Sequence, residues 1–166
     1  MKLLFISLGC DKNLVDSEEM LGMLAADGHE IVDDEDEAEV IIVNTCCFIG
    51  DAKEESVNTI LEMAEKKKAG TCKVLIVTGC MAQRYKKEIS EEIPEVDAIL
   101  GTTSYGDISK AVKEAQAGRH FEEYKSIDFL PDISGKRMLT TGGHFAYLKI
   151  AEGCDKHCTY CIIRSE

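Results

Sequence analysis

The sequence predicts an α/β protein whose core is a doubly wound, flavodoxin-like sheet of five parallel strands. Short apolar runs alternate along residues 1–118 with segments in which apolar side chains recur at helical spacing. The strand at 40–44 is apolar at four successive positions, which is typical of an interior strand covered on both faces. Because each helix returns the chain to the start of the next strand, we expect the order 2-1-3-4-5.

The individual elements follow in order along the chain. The predicted strands are 3–7, 29–32, 40–44, 73–78 and 98–100. Asn13 is expected to cap the first helix, and apolar side chains at helical spacing over 57–64 predict the second. A third helix spans 85–93, and the last ends at Gly118. The acidic run at 33–39 is short for a helical crossover, so we interpret it as a solvated loop.

The amino-acid composition argues against two classes of function, nucleic-acid binding by charge and a membrane-spanning role. The 166 residues carry 19 Lys and Arg against 31 Asp and Glu, a formal charge of −12, and 45% are hydrophobic. This predicts one packed domain with a piece of a second, and argues against binding a phosphate backbone by charge alone. No apolar run is long enough to span a membrane. Eight cysteines without a disulfide-rich architecture favour the reducing cytoplasm and metal or redox chemistry.

One group of cysteines follows the predicted strands. Cys10, Cys46 and Cys80 each come just after the end of a strand, namely strands 1, 3 and 4. These strands are neighbours in the expected order, about 4.8 Å apart, so their carboxyl ends share one edge of the sheet. We therefore expect the three thiols to converge there, with Gly9 and Gly79 allowing close backbone approach.

Three converging thiols leave several interpretations open. An iron–sulfur cluster usually takes four cysteines, so three leave one iron open to an external ligand. A structural zinc site normally has four protein ligands. The third interpretation is that the cysteines are small buried side chains at strand ends without a ligand role. We interpret Cys47 as a packing residue, with an exchange of roles with Cys46 as the alternative, and Cys72, at the opposite edge, as incidental.

A second group of cysteines lies near the end of the chain. Residues 119–143 have weak periodicity and are predicted to be a linker, and 145–150 are predicted to form a new strand. Cys154, Cys158 and Cys161 follow at Cys-x₃-Cys-x₂-Cys spacing, close enough for three thiolates to surround one cluster. A zinc knuckle using His157 is the alternative.

The spacing of the second group, with Tyr160 before the last cysteine, resembles the radical S-adenosylmethionine signature. Together with the upstream cysteines, it resembles the methylthiotransferase family. The segments Ser7–Glu18, Asn44–Ile49 and Thr78–Tyr85 resemble the RimO-type branch, which modifies an aspartate of small-subunit ribosomal protein S-twelve. The tRNA-modifying, MiaB-like branch tends to have Gln-Met-Asn after the first cysteine, where this chain has Asp11-Lys12-Asn13.

The resemblance implies cofactors and a reaction. Cys154, Cys158 and Cys161 would hold a [4Fe–4S] cluster that binds S-adenosylmethionine, with Tyr160 beside the cofactor. A 5′-deoxyadenosyl radical would abstract hydrogen from the aspartate β-carbon. A second [4Fe–4S] cluster on Cys10, Cys46 and Cys80 would present a methylated sulfur to the substrate radical. No side chain is assigned a catalytic role apart from the clusters.

The resemblance also sets expectations for organisation and partners. We expect a methylthiotransferase domain at 1–118, a linker at 119–143 and the start of a truncated radical S-adenosylmethionine barrel at 144–166. The chain alone is expected to be an inactive fragment of an enzyme with a ribosomal protein substrate and an electron donor, without direct nucleic-acid or membrane contact. The alternatives are a MiaB-like fragment, a structural metal-binding module, and a flavodoxin-like binding domain with incidental thiols, although no phosphate-binding glycine-rich loop follows strand 1.

Overall fold

The protein is described here from a computed structural model, covering residues 1–129, 137–154, 156 and 158–163. Its secondary structure begins with β1 (Lys2–Ser7), α1 (Asp11–Ala26), β2 (Glu30–Val32), β3 (Val40–Thr45) and α2 (Gly50–Lys68). It continues with β4 (Val74–Gly79), α3 (Cys80–Arg84), α4 (Lys86–Glu92), β5 (Ala98–Leu100), a 3₁₀ turn (Tyr105–Asp107), α5 (Ile108–Gln116) and β6 (Phe121–Glu123).

All strands are parallel and lie in one sheet, in the order β2-β1-β3-β4-β5-β6. The predicted α/β class and strand order are confirmed, with a sixth strand added beyond β5. This strand begins at Phe121, within the segment predicted as a linker, and pairs with β5 from Ala98 to Leu100. Three residues, two of them glutamates, carry too little apolar alternation to reveal a strand in the sequence.

The sheet is covered by helices on both faces, as a doubly wound fold requires. One face packs Ile41, Val43, Leu75 and Val77 against α2, α3 and α4, and the other packs Val40, Ile42, Val74 and Ile76 against α1 and α5. Alternate residues of β3 and β4 therefore enter opposite cores, which explains why every residue of both strands is buried. These two buried strands form the rigid centre of the molecule.

The connection from β2 to β3 is a loop, as predicted. Asp33, Asp34, Asp36 and Glu37 are exposed, so this acidic run faces solvent. Lys66 of α2 forms ion pairs with the loop, 2.6 Å from Asp36. At such an exposed position these ion pairs contribute little to stability.

Three predictions about elements were wrong in detail. The helix α1 begins at Asp11, and its N-cap is Cys10, three residues before the predicted cap at Asn13. The helix predicted over 85–93 corresponds to α4, but the separate helix α3 before it was not predicted; Tyr85, with φ of −113° and ψ of 31°, lies between the two. Residues 145–150, predicted as a strand, have no regular secondary structure and pair with none of the described strands.

No helix in the described part of the chain is both long enough and apolar enough to cross a membrane.

Candidate functional site

The candidate site is built where β1, β3 and β4 end at one edge of the sheet. Thr45 and Gly79, the last residues of β3 and β4, pair directly with one another. Cys46 and Cys80 are the next residues along these two strands, so they leave the sheet side by side. Cys10 caps the helix that follows β1, the strand on the other side of β3. Strand register therefore brings together three cysteines that are distant in sequence.

The three thiols line one cleft of about 1550 Å³ at this edge. Cys10 is exposed, Cys80 is half-buried, and Cys46 is 6% exposed. Cys154, from the second group, lines the same cleft together with Gly153. The cleft thus contains cysteines of both groups, whereas Cys158 and Cys161 are not among its lining residues.

Asn13 connects the three strand ends. Its side-chain amide donates hydrogen bonds to the carbonyl oxygens of Leu8, 3.0 Å away, and Thr45, 2.9 Å away. Because both donors face these carbonyls, the amide oxygen turns to the Cys80 thiol, 3.8 Å from it. Sequence reasoning placed Asn13 at a helix cap and missed this role, since its partners lie on other elements.

A second layer of hydrogen bonds fixes Asn13 in the buried interior. The side chain of Asn44 in β3 donates to the backbone oxygen of Asn13, 3.0 Å away, and to the hydroxyl of Ser17, 2.9 Å away. Ser17 in turn donates to the Asn13 backbone oxygen at 2.8 Å. All three residues are almost fully buried, so this network is satisfied and rigid.

Cys46 is held through its backbone by Ser56 of α2. The Cys46 N–H donates to the Ser56 hydroxyl at 3.0 Å, and that hydroxyl donates to the Cys46 carbonyl oxygen at 2.8 Å. Ser56 is fully buried. The Cys46 backbone is therefore fixed just where the chain leaves β3, without using its thiol.

Two glycines leave space for this packing. Gly9 has φ of +93°, and a Cβ there would lie 2.6 Å from the Cys46 Cβ. Gly79 has φ of +95°, and a Cβ there would lie 2.3 Å from the Asn44 side-chain oxygen and 2.5 Å from the Thr45 carbonyl. Both positions require glycine for conformation and for space, as the sequence suggested.

Carboxylates dominate the charge of the cleft. Its charged lining residues are Asp11, Lys12, Asp16, Asp51, Glu55, Asp128 and Glu152. Phe48 and Ile49, which follow Cys46 and Cys47 in the sequence and are both more than half exposed, add apolar surface to the cleft. The cleft is therefore suited to cationic or amphipathic ligands rather than to a phosphate backbone.

The second cysteine group lies on an irregular segment. Cys154 and Cys158 are exposed, Cys161 is half-buried, and the Cys161 N–H donates to the Cys158 carbonyl oxygen at 3.1 Å. Tyr160 is 90% exposed. His157, the candidate zinc ligand, lies outside the described residues. The structure therefore leaves the ligand roles of this group as predictions.

The donor chemistry of the site can be compared with metal requirements. Within the described residues, no three His, Cys, Asp or Glu side chains are close enough to hold a single metal ion. Cys10, Cys46 and Cys80 instead surround a wide cleft. An iron–sulfur cluster is larger than one ion and takes thiolate ligands, so this donor set fits a cluster better than zinc.

The two remaining cysteines are packed in the core. Cys47 and Cys72 belong to the hydrophobic cluster between the sheet and α2. Burial raises the pKa of the Cys72 thiol, which donates a hydrogen bond to the Val74 carbonyl oxygen at 3.1 Å. A buried thiol with a raised pKa is a poor ligand or nucleophile. Cys72 lies before β4, at the edge opposite the cleft, as expected.

Comparison with known families agrees with this arrangement. A family model described as "Uncharacterized protein family UPF0004" matches residues 2–101, which include the three cysteines of the cleft and the helix α1. The chain belongs to this family. Strands β1 to β5 and the first cysteine group thus lie within the matched segment, whereas β6 and the second cysteine group, Cys154, Cys158 and Cys161, lie beyond it.

Curated relatives carry the name ribosomal protein uS12 methylthiotransferase RimO. The protein from Lachnoclostridium phytofermentans is 63% identical over 98% of this chain and 37% of its own length. Those from Clostridioides difficile and Acetivibrio thermocellus are 51% and 52% identical, over 98% and 95% of this chain and 37% and 36% of their own lengths. The chain therefore spans little more than a third of these relatives.

Proposed function

We propose that this chain is part of a radical S-adenosylmethionine methylthiotransferase that modifies an aspartate β-carbon of the ribosomal protein uS12. The observation that carries the proposal is the shared cleft, which Cys10, Cys46, Cys80 and Cys154 line together. The named relatives support the substrate, because they match nearly the whole chain. The domain boundaries proposed with this function are 1–118, 119–143 and 144–166, with β6 of the second segment completing the sheet of the first domain.

In this proposal, Cys10, Cys46 and Cys80 hold one [4Fe–4S] cluster, and Cys154, Cys158 and Cys161 hold another. When bound together with S-adenosylmethionine, such clusters would supply the radical chemistry and the sulfur transfer that the reaction needs. Three thiolates per cluster leave one iron open to an exogenous ligand. Tyr160 is proposed to contact the cofactor beside the second cluster.

The chain's own residues contribute position and environment. Asn13 and Ser56 fix the backbone at the strand ends, so the thiols of the first group are placed before any metal arrives. Ligands that are already in position bind a cluster without a further entropic cost of ordering the chain. Cys46 is itself only 6% exposed, so water reaches this residue less easily than it reaches the exposed Cys10.

The charge of the cleft favours a protein substrate over tRNA. Six carboxylates and a single lysine line it; Lys149 pairs with two of them, Asp16 and Glu152, and the other four still outnumber the lysine. The formal charge of the whole chain is −12. Such a surface attracts a basic protein and repels the phosphates of nucleic acid. The same argument disfavours the MiaB-like alternative, in which tRNA would have to approach the cleft.

Anaerobic reconstitution with iron and sulfide tests the cluster assignment. We expect about four irons and about four sulfides per cluster, and loss of one cluster in Cys10→Ala. Cys72→Ala is the matched control and should leave the iron content unchanged. Stoichiometric zinc without iron uptake would favour the structural metal-binding module, and no metal at all would favour incidental thiols.

The substrate requires a separate assay. A full-length protein containing this segment should thiomethylate uS12 in ribosomes, whereas the 166-residue chain alone should not, because it spans only a third of its relatives. Mass spectrometry of uS12 and of tRNA distinguishes the two branches. A thiomethylated tRNA and an unmodified uS12 would overturn the proposed substrate.

A further inference from the structure

We infer that α1 is a docking surface for the segment 137–152 and that this docking places Cys154 at the cleft. Two acidic side chains of α1, Asp16 and Glu18, hold the segment; we call this set of contacts the α1 clamp. The inference concerns the position of the segment in the metal-free chain, and only its purpose rests on the proposed function.

Glu18 forms the first half of the clamp. Its carboxylate is fully buried and accepts hydrogen bonds from Arg137 Nε at 2.7 Å and from the Thr140 backbone N–H at 2.6 Å. It also accepts a hydrogen bond from the Thr140 hydroxyl at 2.8 Å, and Arg137 Nη2 forms an ion-pair contact with the same carboxylate oxygen, Oε2, that Arg137 Nε contacts. The backbone oxygen of Glu18 accepts from the Met138 N–H at 2.9 Å.

Glu18 is kept ionised by the same residues that it binds. Burial acts to raise the pKa of the carboxyl, but the hydrogen bonds from Thr140 and Arg137 outweigh it and hold the pKa below its usual value. A buried carboxylate is tolerated only when it is paired and hydrogen-bonded. All of these partners come from residues 137–140, so without the segment the charge of Glu18 has no partner of opposite sign among the described residues.

Asp16 forms the second half of the clamp. Its carboxylate pairs with the Lys149 ammonium, which also pairs with Glu152. Both Asp16 and Lys149 are almost fully buried, and the ammonium lies over the Tyr105 ring, 5.4 Å from its centre. A buried lysine between two carboxylates and an aromatic face is fixed in position, unlike a solvated surface lysine.

The clamp has a direct geometric consequence for the cleft. Glu152, Gly153 and Cys154 follow Lys149 and line the cleft that also contains Cys46 and Cys80. The segment leaves Lys149 only five residues before Cys154, so the position of Lys149 limits where the thiol can lie. All of these contacts join atoms of the protein, so the chain's own residues bring Cys154 towards the first cysteine group.

The contacts are not needed to fold α1. This helix already packs Met20 and Leu24 into the core on its sheet-facing side. A helix with an apolar core contact gains little from burying further carboxylates, since desolvation offsets their pairing. The buried charges of Asp16 and Glu18 are therefore best explained by selection of one docked position for the segment.

Hydrogen exchange of the metal-free 166-residue chain tests the inference. In Glu18→Gln and in Lys149→Met, we expect amide exchange in 138–153 to accelerate by about tenfold, as in local opening. Exchange in β3 and β4 should stay unchanged. Glu62→Gln is the matched control, because it makes the same chemical change at an exposed position of α2 and should alter neither region.

Two results would overturn the inference. One is unchanged exchange of 138–153 in both variants, which would mean that the segment is held by other contacts. The other is faster exchange in β3 and β4 as well, which would assign Glu18 and Lys149 to overall stability. Iron uptake by the first cysteine group, measured on the same variants, tests the proposed function separately, because that group lies on the sheet and not on the segment.

Discussion

The two cysteine groups are positioned in different ways. Cys46 and Cys80 follow paired residues of two fully buried strands, so the hydrogen-bonded ladder of the sheet sets their separation. Cys154 and Cys158 are exposed on a segment without regular structure. The positions of the first group are thus set by the sheet. The positions of the second group depend on docking of the segment and on the chain that surrounds it in longer relatives. This difference predicts which mutations damage which group.

The largest expected effect is on metal uptake by the first group. Cys46→Ser removes a thiolate that the sheet places at the cleft, so we expect the 166-residue chain to lose about four irons after anaerobic reconstitution. Cys158→Ser should leave that uptake intact, because the first group is placed without it. Iron and sulfide analysis of both variants checks this prediction, and a similar loss in both would remove the distinction between the groups.

The next largest effect is on the free energy of unfolding, and it differs between a glycine at a strand end and a glycine on the segment. Gly79→Ala forces a strained φ and an overlap with the Thr45 carbonyl, so we expect a loss of about 3 kcal/mol in the free energy of unfolding. Gly153→Ala, at φ of +61° on the segment with open space around it, should cost less than about 0.5 kcal/mol globally. Urea denaturation measures both. Gly28→Ala, with a similar φ but no overlap, is the control at about 1 kcal/mol.

A smaller loss is expected at Asn13. Asn13→Ala leaves the carbonyl oxygens of Leu8 and Thr45 without their donor, which should cost about 2 kcal/mol. Iron uptake by the first group should also fall, since the strand ends are no longer tied together. Asn58→Ala, at an exposed position of α2, is the control. Wild-type stability and iron content in Asn13→Ala would show that the strands alone fix the site.

One expected effect is a pH dependence of the free energy of unfolding, which arises from Asp16 beneath the docked segment. Burial raises the pKa of Asp16 to about 7, more than the Lys149 ammonium lowers it. The folded chain therefore binds this proton more tightly than the unfolded chain, and the associated stability is lost as the pH rises from about 4 to about 7. Asp16→Asn should abolish this part of the dependence, roughly 2–3 kcal/mol between pH 5 and 8. Urea denaturation at several pH values compares the two proteins; parallel curves would contradict the shift.

Much of the architecture could be predicted from local patterns. The strands β3 and β4 follow from successive β-branched and aliphatic residues, and the common edge of Cys10, Cys46 and Cys80 follows from their positions after strands. These features depend on periodicity and on the geometry of parallel sheets. Both are encoded within a few residues of each element, which is why single-sequence reasoning finds them.

The features that sequence reasoning missed depend on distant partners. Asn13 acts on Thr45, 32 residues away, and Glu18 binds Arg137, 119 residues away. Nothing in the residues around Asn13 or Glu18 distinguishes such a role from a helix cap or a solvated acid. The strand β6 was missed for a related reason, because its pairing with β5 forms it rather than its own propensity.

The pairing of Thr45 with Gly79 also limits how the family domain can change over time. Loops and helices between the strands can lengthen or shorten freely, since each strand end returns to the same place. Inserting a single residue inside β3, however, would turn its following side chain to the opposite face of the sheet. The number of residues between the cysteine motifs can therefore change without moving Cys46 relative to Cys80, whereas an insertion inside either strand would change their relative position.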